Sequence, residues 1–205
     1  MRVISGTAKG RPLKAPPGMG TRPMTDRLKT SLFDTLAPYG FEGARVLDLY
    51  AGSGSLGIEM LSRGAEWCDF VEHSPTVARV IRDNLRATGL ADRAHVYVMP
   101  VARFLSMQEA ALRKKQGESA ESTPDSVDRA VQYDIILLDP PYADPAIHST
   151  LDAVARWPLL APNGLVVVGH ATPVRLYDEY GGGRIRRVRH RAMGGSSFSI
   201  YEVVQ

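Results

Sequence analysis

From residue 45 onward, short apolar runs alternate with stretches in which apolar residues recur every three or four positions. The runs predict strands and the stretches predict helices. Arg45-Val-Leu-Asp-Leu-Tyr50 reads as a buried strand, and it leads into Ala51-Gly-Ser-Gly-Ser-Leu-Gly57, a turn that opens a helix. Leu56, Met60 and Leu61 give that helix its apolar face, and Gly64 stops it. Trp67–Glu72 is a second strand. Pro75 starts the next helix, with Val77, Val80, Ile81 and Leu85 on one face and Gly89 as the stop. His95–Val98 is a third strand, and Val101 to about Arg113 a third helix. Residues 116–128 are polar and carry Pro124; they predict an insertion loop, because the alternation resumes after them. Tyr133–Asp139 has the strongest strand pattern in the chain, and Pro140-Pro141-Tyr142 breaks it. Ile147 to about Trp157 is helical, and Asn163-Gly164 turns into strand Leu165–Gly169. Arg184–His190 and Phe198–Val203 are expected to pair as a hairpin around Gly194-Gly195.

Such alternation predicts an α/β fold, a doubly wound and mostly parallel sheet that ends in an antiparallel hairpin. The first 43 residues differ. Met1–Leu13 suggests a small hairpin around Gly6 and Gly10, prolines follow at 16, 17 and 23, and Asp26 to about Leu36 is helical. We divide the chain into a basic N-terminal hairpin and helix, 1–43, and a Rossmann-like domain, 44–205. Ligands of such folds bind beyond the carboxyl ends of the strands, near the point where strand order reverses. The loops 51–57 and 139–142 both follow strands and are expected to face one crevice.

The chain has 205 residues, of which 44% are hydrophobic and 23% charged. That is enough apolar material for a core and excludes a wholly disordered chain. Apolar runs such as Leu165-Val-Val-Val168 are far short of a bilayer span, and no signal-peptide pattern follows Arg2. A cytoplasmic, monomeric protein without membrane association is expected. Cys68 is the one cysteine, and no Cys/His cluster has ligand spacing, so no metal is expected. Charge is unevenly spread. Residues 1–43 hold seven Lys/Arg against three Asp/Glu, and residues 181–205 hold five Arg against Glu202, whereas the middle is acidic. Basic ends suit a polyanion, most simply nucleic acid, although ordinary solvated cations would give the same count.

Gly52-Ser-Gly54-Ser-Leu-Gly57 fits a nucleotide-binding glycine loop, with a strand before it and a helix after it. Glu72 ends the next strand, twenty residues beyond Gly52, where a carboxylate can accept both ribose hydroxyls. Asp48 distinguishes the ligands. A dinucleotide would bring phosphates to this turn, and a carboxylate would oppose them. S-adenosylmethionine brings an ammonium and a sulfonium, which a carboxylate suits. The alternative for Asp48 is a capping role.

Asp139-Pro140-Pro141-Tyr142 is rich in acceptors, because its prolines supply carbonyls but no N–H. The Asp139 carboxylate and the Pro140 carbonyl can hold the hydrogens of a nucleobase amine and aim its lone pair at a methyl group. Tyr142 can stack on an extruded base. The alternative is a rigid turn with a packing tyrosine.

Asp48–Gly54 together with Asp139-Pro-Pro-Tyr142 resembles class I, S-adenosylmethionine-dependent amino-methyltransferases. Met1-Arg-Val-Ile-Ser-Gly-Thr-Ala-Lys-Gly-Arg-Pro-Leu-Lys14 and Thr21-Arg-Pro-Met-Thr-Asp-Arg-Leu-Lys29 narrow the resemblance to the RsmD family. The resemblance implies methylation of N2 of a guanine in 16S ribosomal RNA, within the small subunit or an assembly intermediate. It implies donor binding by Ala51, Gly52, Ser53, Gly54 and Ser55, by Asp48 and Glu72, by Val101 beside the adenine, and by Arg22 and Thr25 from the N-terminal side. Asp139, Pro140 and Tyr142 would hold guanine, and Lys9, Arg11 and Lys14 would meet RNA phosphates. Two positions depart from the family pattern. Pro100-Val101 stands where an Asp-Ala pair is common, and Met193-Gly-Gly-Ser196 replaces a Tyr-Gly-Asp-Thr-like stretch.

Other readings remain at this level. A DNA amino-methyltransferase would use the same turn, and a non-catalytic RNA-binding factor would retain the donor site. An NAD-dependent oxidoreductase would need a proton donor, for which His73 and His148 are the candidates by position. Cytosine-C5 methylation would need a thiol at the crevice, whereas Cys68 lies inside a predicted strand.

Overall fold

A computed structural model describes residues 1–16, 24–117, 132–141, 144–156 and 158–204, with the backbone alone for 112–117. Arg22, Tyr142, Trp157 and the insertion from residue 118 on lie outside the described residues. The described helices are α1 (Asp26–Leu36), α2 (Ser55–Ser62), α3 (Pro75–Thr88), α4 (Val101–Gly117) and α5 (Ile147–Arg156). The strands are β1 (Arg45–Leu49), β2 (Trp67–Glu72), β3 (Ala94–Val98), β4 (Tyr133–Leu138), β5 (Leu160–Ala171), β6 (Glu179–Tyr180), β7 (Ile185–Met193) and β8 (Ser196–Val203).

All eight strands join one sheet in the order β3-β2-β1-β4-β5-β8-β7-β6. The first five are parallel, and β8, β7 and β6 continue the sheet antiparallel. This is the expected α/β architecture, with the antiparallel hairpin at its end. The order reverses between β1 and β4, which places the crevice at their carboxyl ends.

Both faces of the sheet are covered, which explains the continuous apolar runs of its central strands. Val46, Phe70, Leu137, Val167 and Phe198 point to one side, where α1, α2 and α3 pack. Leu47, Val71, Leu138, Val168 and Tyr201 point to the other, with α4 and α5. Gly57 sets the fit of α2 on β2. A Cβ there would lie 2.7 Å from Cys68 Sγ and closer still to the Phe70 ring. The helix ends follow capping chemistry. Thr25 Oγ1 accepts the Leu28 amide at 3.2 Å, Ser74 caps α3 ahead of Pro75, and Gly89 closes α3 in the left-handed region.

Val3, Ala8 and Leu13 of the N-terminal segment enter the same apolar cluster as α1 and the sheet. The segment is less regular than a hairpin of two strands. Arg2 and Pro12 form an isolated bridge, flanked by Val3 N–H to Arg11 O at 3.0 Å and Leu13 N–H to Met1 O at 3.1 Å. The segment is instead fastened to α2, through Thr7 N–H to Ser62 O at 2.8 Å and Ala8 N–H to Ser62 Oγ at 2.9 Å.

The expected turn at Asn163-Gly164 is not a turn. β5 already begins at Leu160, because Tyr133 donates to Leu159 O at 2.7 Å and pairs with Leu160. A register shift between Tyr133 and Ile135 absorbs the Pro-Asn-Gly stretch as an irregularity within the ladder. The two-residue β6 is too short to leave a periodic pattern. Among the described residues, no helix is long and apolar enough to cross a membrane.

Candidate active site

The carboxyl ends of β1, β2 and β4 enclose a cavity of about 520 Å³. Its walls include the glycine loop (Ala51, Gly52, Ser53 and Ser55) and the turn Asp139-Pro140-Pro141. Met1, Pro16 and Met24 close it from the N-terminal side, and Pro100 and Val101 border it after β3.

Glu72 stands at the end of β2 with its carboxylate fixed from both sides. Oε2 accepts the Gly52 amide at 3.1 Å, and Oε1 accepts the Ser74 amide at 2.9 Å. The carboxylate thereby ties the glycine loop to the start of α3. Asp48 is fully buried, and its Oδ2 accepts the Gly57 amide at 3.0 Å. Burial pushes the Asp48 carboxyl well above the usual carboxylate range, and the nearby Asp139 and Glu72 push it further. Asp139 itself is pushed up to about 6 by burial. Three acids around one cavity give it an electrostatic demand for a cation.

The backbone is strained beside these acids. Tyr50 holds φ at +59°, and its hydroxyl pairs with Thr150 Oγ1 of α5 at 3.1 Å. A non-glycine residue in that region is typical of a functional site held by its surroundings. Asp139 is also held from the sheet side. At Gly169 of β5, a Cβ would overlap Asp139 Oδ1 and lie 3.2 Å from Met24 Cε.

A buried ion cluster supports the glycine loop from behind. Lys29 of α1 and Glu59 of α2 are both fully buried, with Nζ to Oε2 at 3.0 Å. Lys29 Nζ also donates to Ser55 Oγ at 3.0 Å. Glu59 takes Arg63 Nε at 2.9 Å and the amides of Ile4 and Ser5 at 2.8 and 2.9 Å. Burial alone would raise Glu59, but Lys29 and these donors hold it below the usual range. Lys29 is lowered by burial, partly offset by Glu59.

Asp48, Ala51, Gly52, Ser53, Ser55, Glu72, Val101, Asp139 and Pro140 are therefore brought together as expected. Gly54 sits behind them as the left-handed N-cap residue of α2. Thr25 does not line the cavity. Its side chain is spent capping α1, and the preceding Met24 enters the wall instead. Lys9, Arg11 and Lys14 are exposed on the N-terminal segment and are not part of the cavity wall. Arg11 Nη1 donates to Ala87 O at 3.0 Å, and Lys14 pairs with Asp83 at 3.4 Å. His73 borders the cavity but is 76% exposed and turned to Glu72, while His148 is bonded to Tyr180 at 2.7 Å and is not in the wall. Cys68 is buried in β2, its thiol pushed up by burial and outside the wall, which removes it as a nucleophile.

Tyr50, Met24, Gly169 and Lys29 were not legible as site residues. Gly169 carried one signal, a glycine directly after the apolar run Leu165–Val168. Lys29 carried another, as a lysine on the apolar face of α1 beside Leu28, Leu32 and Leu36.

A family model described as "Conserved hypothetical protein 95" matches residues 1–202. The chain is 37% identical to YlbH of Bacillus subtilis, named as a candidate rRNA methyltransferase, over 98% of both chains. It is 32% identical to ribosomal RNA small subunit methyltransferase D of Escherichia coli K12, over 82% of this chain and 73% of that one. The chain belongs to the RsmD family. A solved structure of yhhF, a candidate methyltransferase of Escherichia coli, superposes with a TM-score of 0.75 at 27% identity, over 99% of this chain and 97% of that one. The RsmD-family fold is thus that of class I methyltransferases. Both departures from the RsmD pattern fall at identifiable places. Pro100, which has no N–H, borders the cavity beside Val101, and residues 193–196 make the β7–β8 turn.

Proposed function

We propose that the chain methylates the exocyclic N2 amine of a guanine in small-subunit ribosomal RNA, with S-adenosylmethionine as donor. The observation that carries this reading is the acid-lined cavity joined to the Asp139-Pro140 turn. Asp48, Glu72 and Asp139 suit a donor that bears an ammonium, a ribose and a sulfonium, and they oppose a dinucleotide's phosphates. When bound, S-adenosylmethionine supplies an electrophilic methyl on sulfur. Glu72, held by Gly52 and Ser74, accepts the ribose hydroxyls. Asp48 faces the cationic part beside the glycine loop. Val101 takes the adenine edge through its backbone.

Asp139 and the Pro140 carbonyl accept the hydrogens of the target amine. That orients the nitrogen lone pair toward the methyl and stabilises positive charge as the N–C bond forms. The donor's sulfur would leave as a neutral thioether, and Asp139 or solvent takes the proton that the nitrogen then loses. Tyr142 stacks on the base. The names of the relatives support ribosomal RNA as substrate, and the basic ends of the chain support a polyanion.

The test is labelled methyl transfer to undermethylated small subunits, free ribosomal RNA and DNA, followed by nucleoside analysis. N2-methylguanosine from the subunit, absent with Asp139→Ala, is expected. Label in N6-methyladenine or N4-methylcytosine of DNA would overturn the substrate. Donor binding without transfer to any of the three would overturn the enzyme reading.

A further inference from the structure

The strand that carries the C-terminal arginines ends level with the catalytic turn. Leu138 of β4 pairs with Val168 of β5, Val168 with Ser199 of β8, and Ser199 with His190 of β7. One residue further along, Asp139 stands beside Gly169, Gly169 pairs with Phe198, and Phe198 with Arg191. Arg191 therefore lies in the same row across the sheet as Asp139, three strand spacings away, or roughly 14 Å.

The face is also the right one. Residues directly opposite in a ladder share a face, so Arg191 and Arg189 lie on the side of Phe198 and Ile200. That side carries α1, the N-terminal segment and Met24 at the mouth of the cavity. The register shift between Arg187 and Arg189 sets this phase. It turns Val188 inward against the apolar cluster and leaves Arg189 and Arg191 exposed. Arg187 faces the other way and is held by Asp178 and Leu176 O.

The strand edge is open at this height. β6 pairs only with Ile185 and Arg186, and the Arg187 amide goes to Asp178 O. From Val188 on, the outer edge of β7 has no backbone partner among the described residues. Tyr39 takes up the carboxylate of Glu202, the acid of β8 nearest this patch, at 2.6 Å. An arginine edge can serve simply to prevent sheets from joining. That role asks for charge of either sign on either face, and it does not explain a pair of one sign on one face, with Arg191 level with Asp139 and Arg189 level with Leu137.

We propose that Arg189 and Arg191 form a second phosphate-binding surface for the RNA substrate, on the far side of the cavity mouth from Lys9, Arg11 and Lys14. The proposal rests on the reading of the substrate as RNA. The target nucleotide would enter the cavity between the two basic surfaces, with its flanking strand crossing the open end of β7. Arginine forks and free edge amides are both suited to phosphate oxygens.

The experiment compares the wild-type chain, Arg189→Glu/Arg191→Glu, and Arg156→Glu/Arg184→Glu. The last reverses two charges at the opposite end of the same sheet. RNA binding and methylation of undermethylated small subunits are measured separately, with melting curves and donor titrations as fold controls. Arg189→Gln/Arg191→Gln replaces the first variant if it does not fold. Reversal at 189 and 191 should raise KM for the subunit at least tenfold, leave kcat and donor affinity unchanged, and flatten the salt dependence of RNA binding. The slope of log affinity against log salt should fall by roughly 0.7–0.9 for each lost phosphate contact. Unchanged KM and slope, or an equal loss from the control pair, would overturn the proposal. If the wild-type chain methylates no RNA yet the 189/191 variant alone loses RNA binding, the surface stands and the substrate reading fails.

Discussion

In the proposed reaction Asp139 holds the amine hydrogens, and offsets the developing positive charge, best as a carboxylate, and burial works against ionisation. Its pKa of about 6 puts the change inside the working range of most assays. Methylation under kcat/KM conditions should therefore fall about tenfold per pH unit below 6. A cation bound in the cavity favours the carboxylate, so the same break in kcat should move to lower pH. Stability runs in the opposite direction. A carboxyl raised on folding binds its proton more tightly in the native state, so stability is lost as pH rises from the ordinary carboxylate range through about 6. Asp139→Asn should remove that loss. Its melting temperature should exceed wild type at pH 7.5, by about 2–4 °C for each kcal/mol regained, and match it near pH 4, while methyl transfer collapses. An equal melting temperature at both pH values would remove burial as the source of the shift. Gly169 makes a second residue-scale case. Alanine there must displace Asp139 or Met24. Gly169→Ala should lower methyl transfer by roughly 10–100-fold with donor affinity nearly intact, which single-turnover kinetics beside a donor titration would separate.

At the scale of elements, the strand-helix alternation, the glycine loop and the Asp-Pro-Pro turn were readable because periodicity and prolines are local signals. The join between the N-terminal segment, α1 and α2 was not, because it brings Glu59 together with Lys29 and with the amides of Ile4 and Ser5, all distant in sequence. Glu59 binds Lys29 and Arg63 and also caps two amides of the N-terminal segment. Lys29 passes the same cluster on to Ser55 in the cavity wall. Lys29→Met leaves a buried carboxylate with one cation fewer and should cost roughly 3 kcal/mol in urea unfolding. Glu59→Ala should speed hydrogen exchange at the Ile4 and Ser5 amides far more than at α3, whose caps do not involve it. Equal protection at Ile4 and Ser5 would mean that the bridge at Arg2 and Pro12, not Glu59, holds the segment. The start of β5 at Leu160 escaped the sequence for a related reason, although its core at Leu165–Gly169 was readable. Asn-Gly is a turn signal, but the Tyr133 ladder bond overrides it.

Over the whole molecule, the charge pattern suggested a basic arm beside the main domain and the family resemblance put Arg22 and Thr25 of it at the donor site, whereas the cavity wall takes Met1, Pro16 and Met24 from that segment. Val3, Ala8 and Leu13 share one core with the sheet. Composition could reveal the basic charge of this segment but not its packing, since its apolar residues are too few and too irregular to show a period. Two kinds of change should consequently behave differently. Lys9→Glu/Lys14→Glu alters exposed charge and should weaken RNA binding with a flatter salt slope, while calorimetric donor affinity stays at the wild-type value. Deleting residues 2–13 strips the two amides from Glu59 and the apolar cover from α2, so it should lower donor affinity and thermal stability together. A detachable RNA-binding arm would give the same phenotype for both, with RNA binding lost and donor binding kept. Measuring donor affinity in the deletion is thus the decisive comparison: retained affinity would make the arm an appendage, and lost affinity would make it a wall of the donor site.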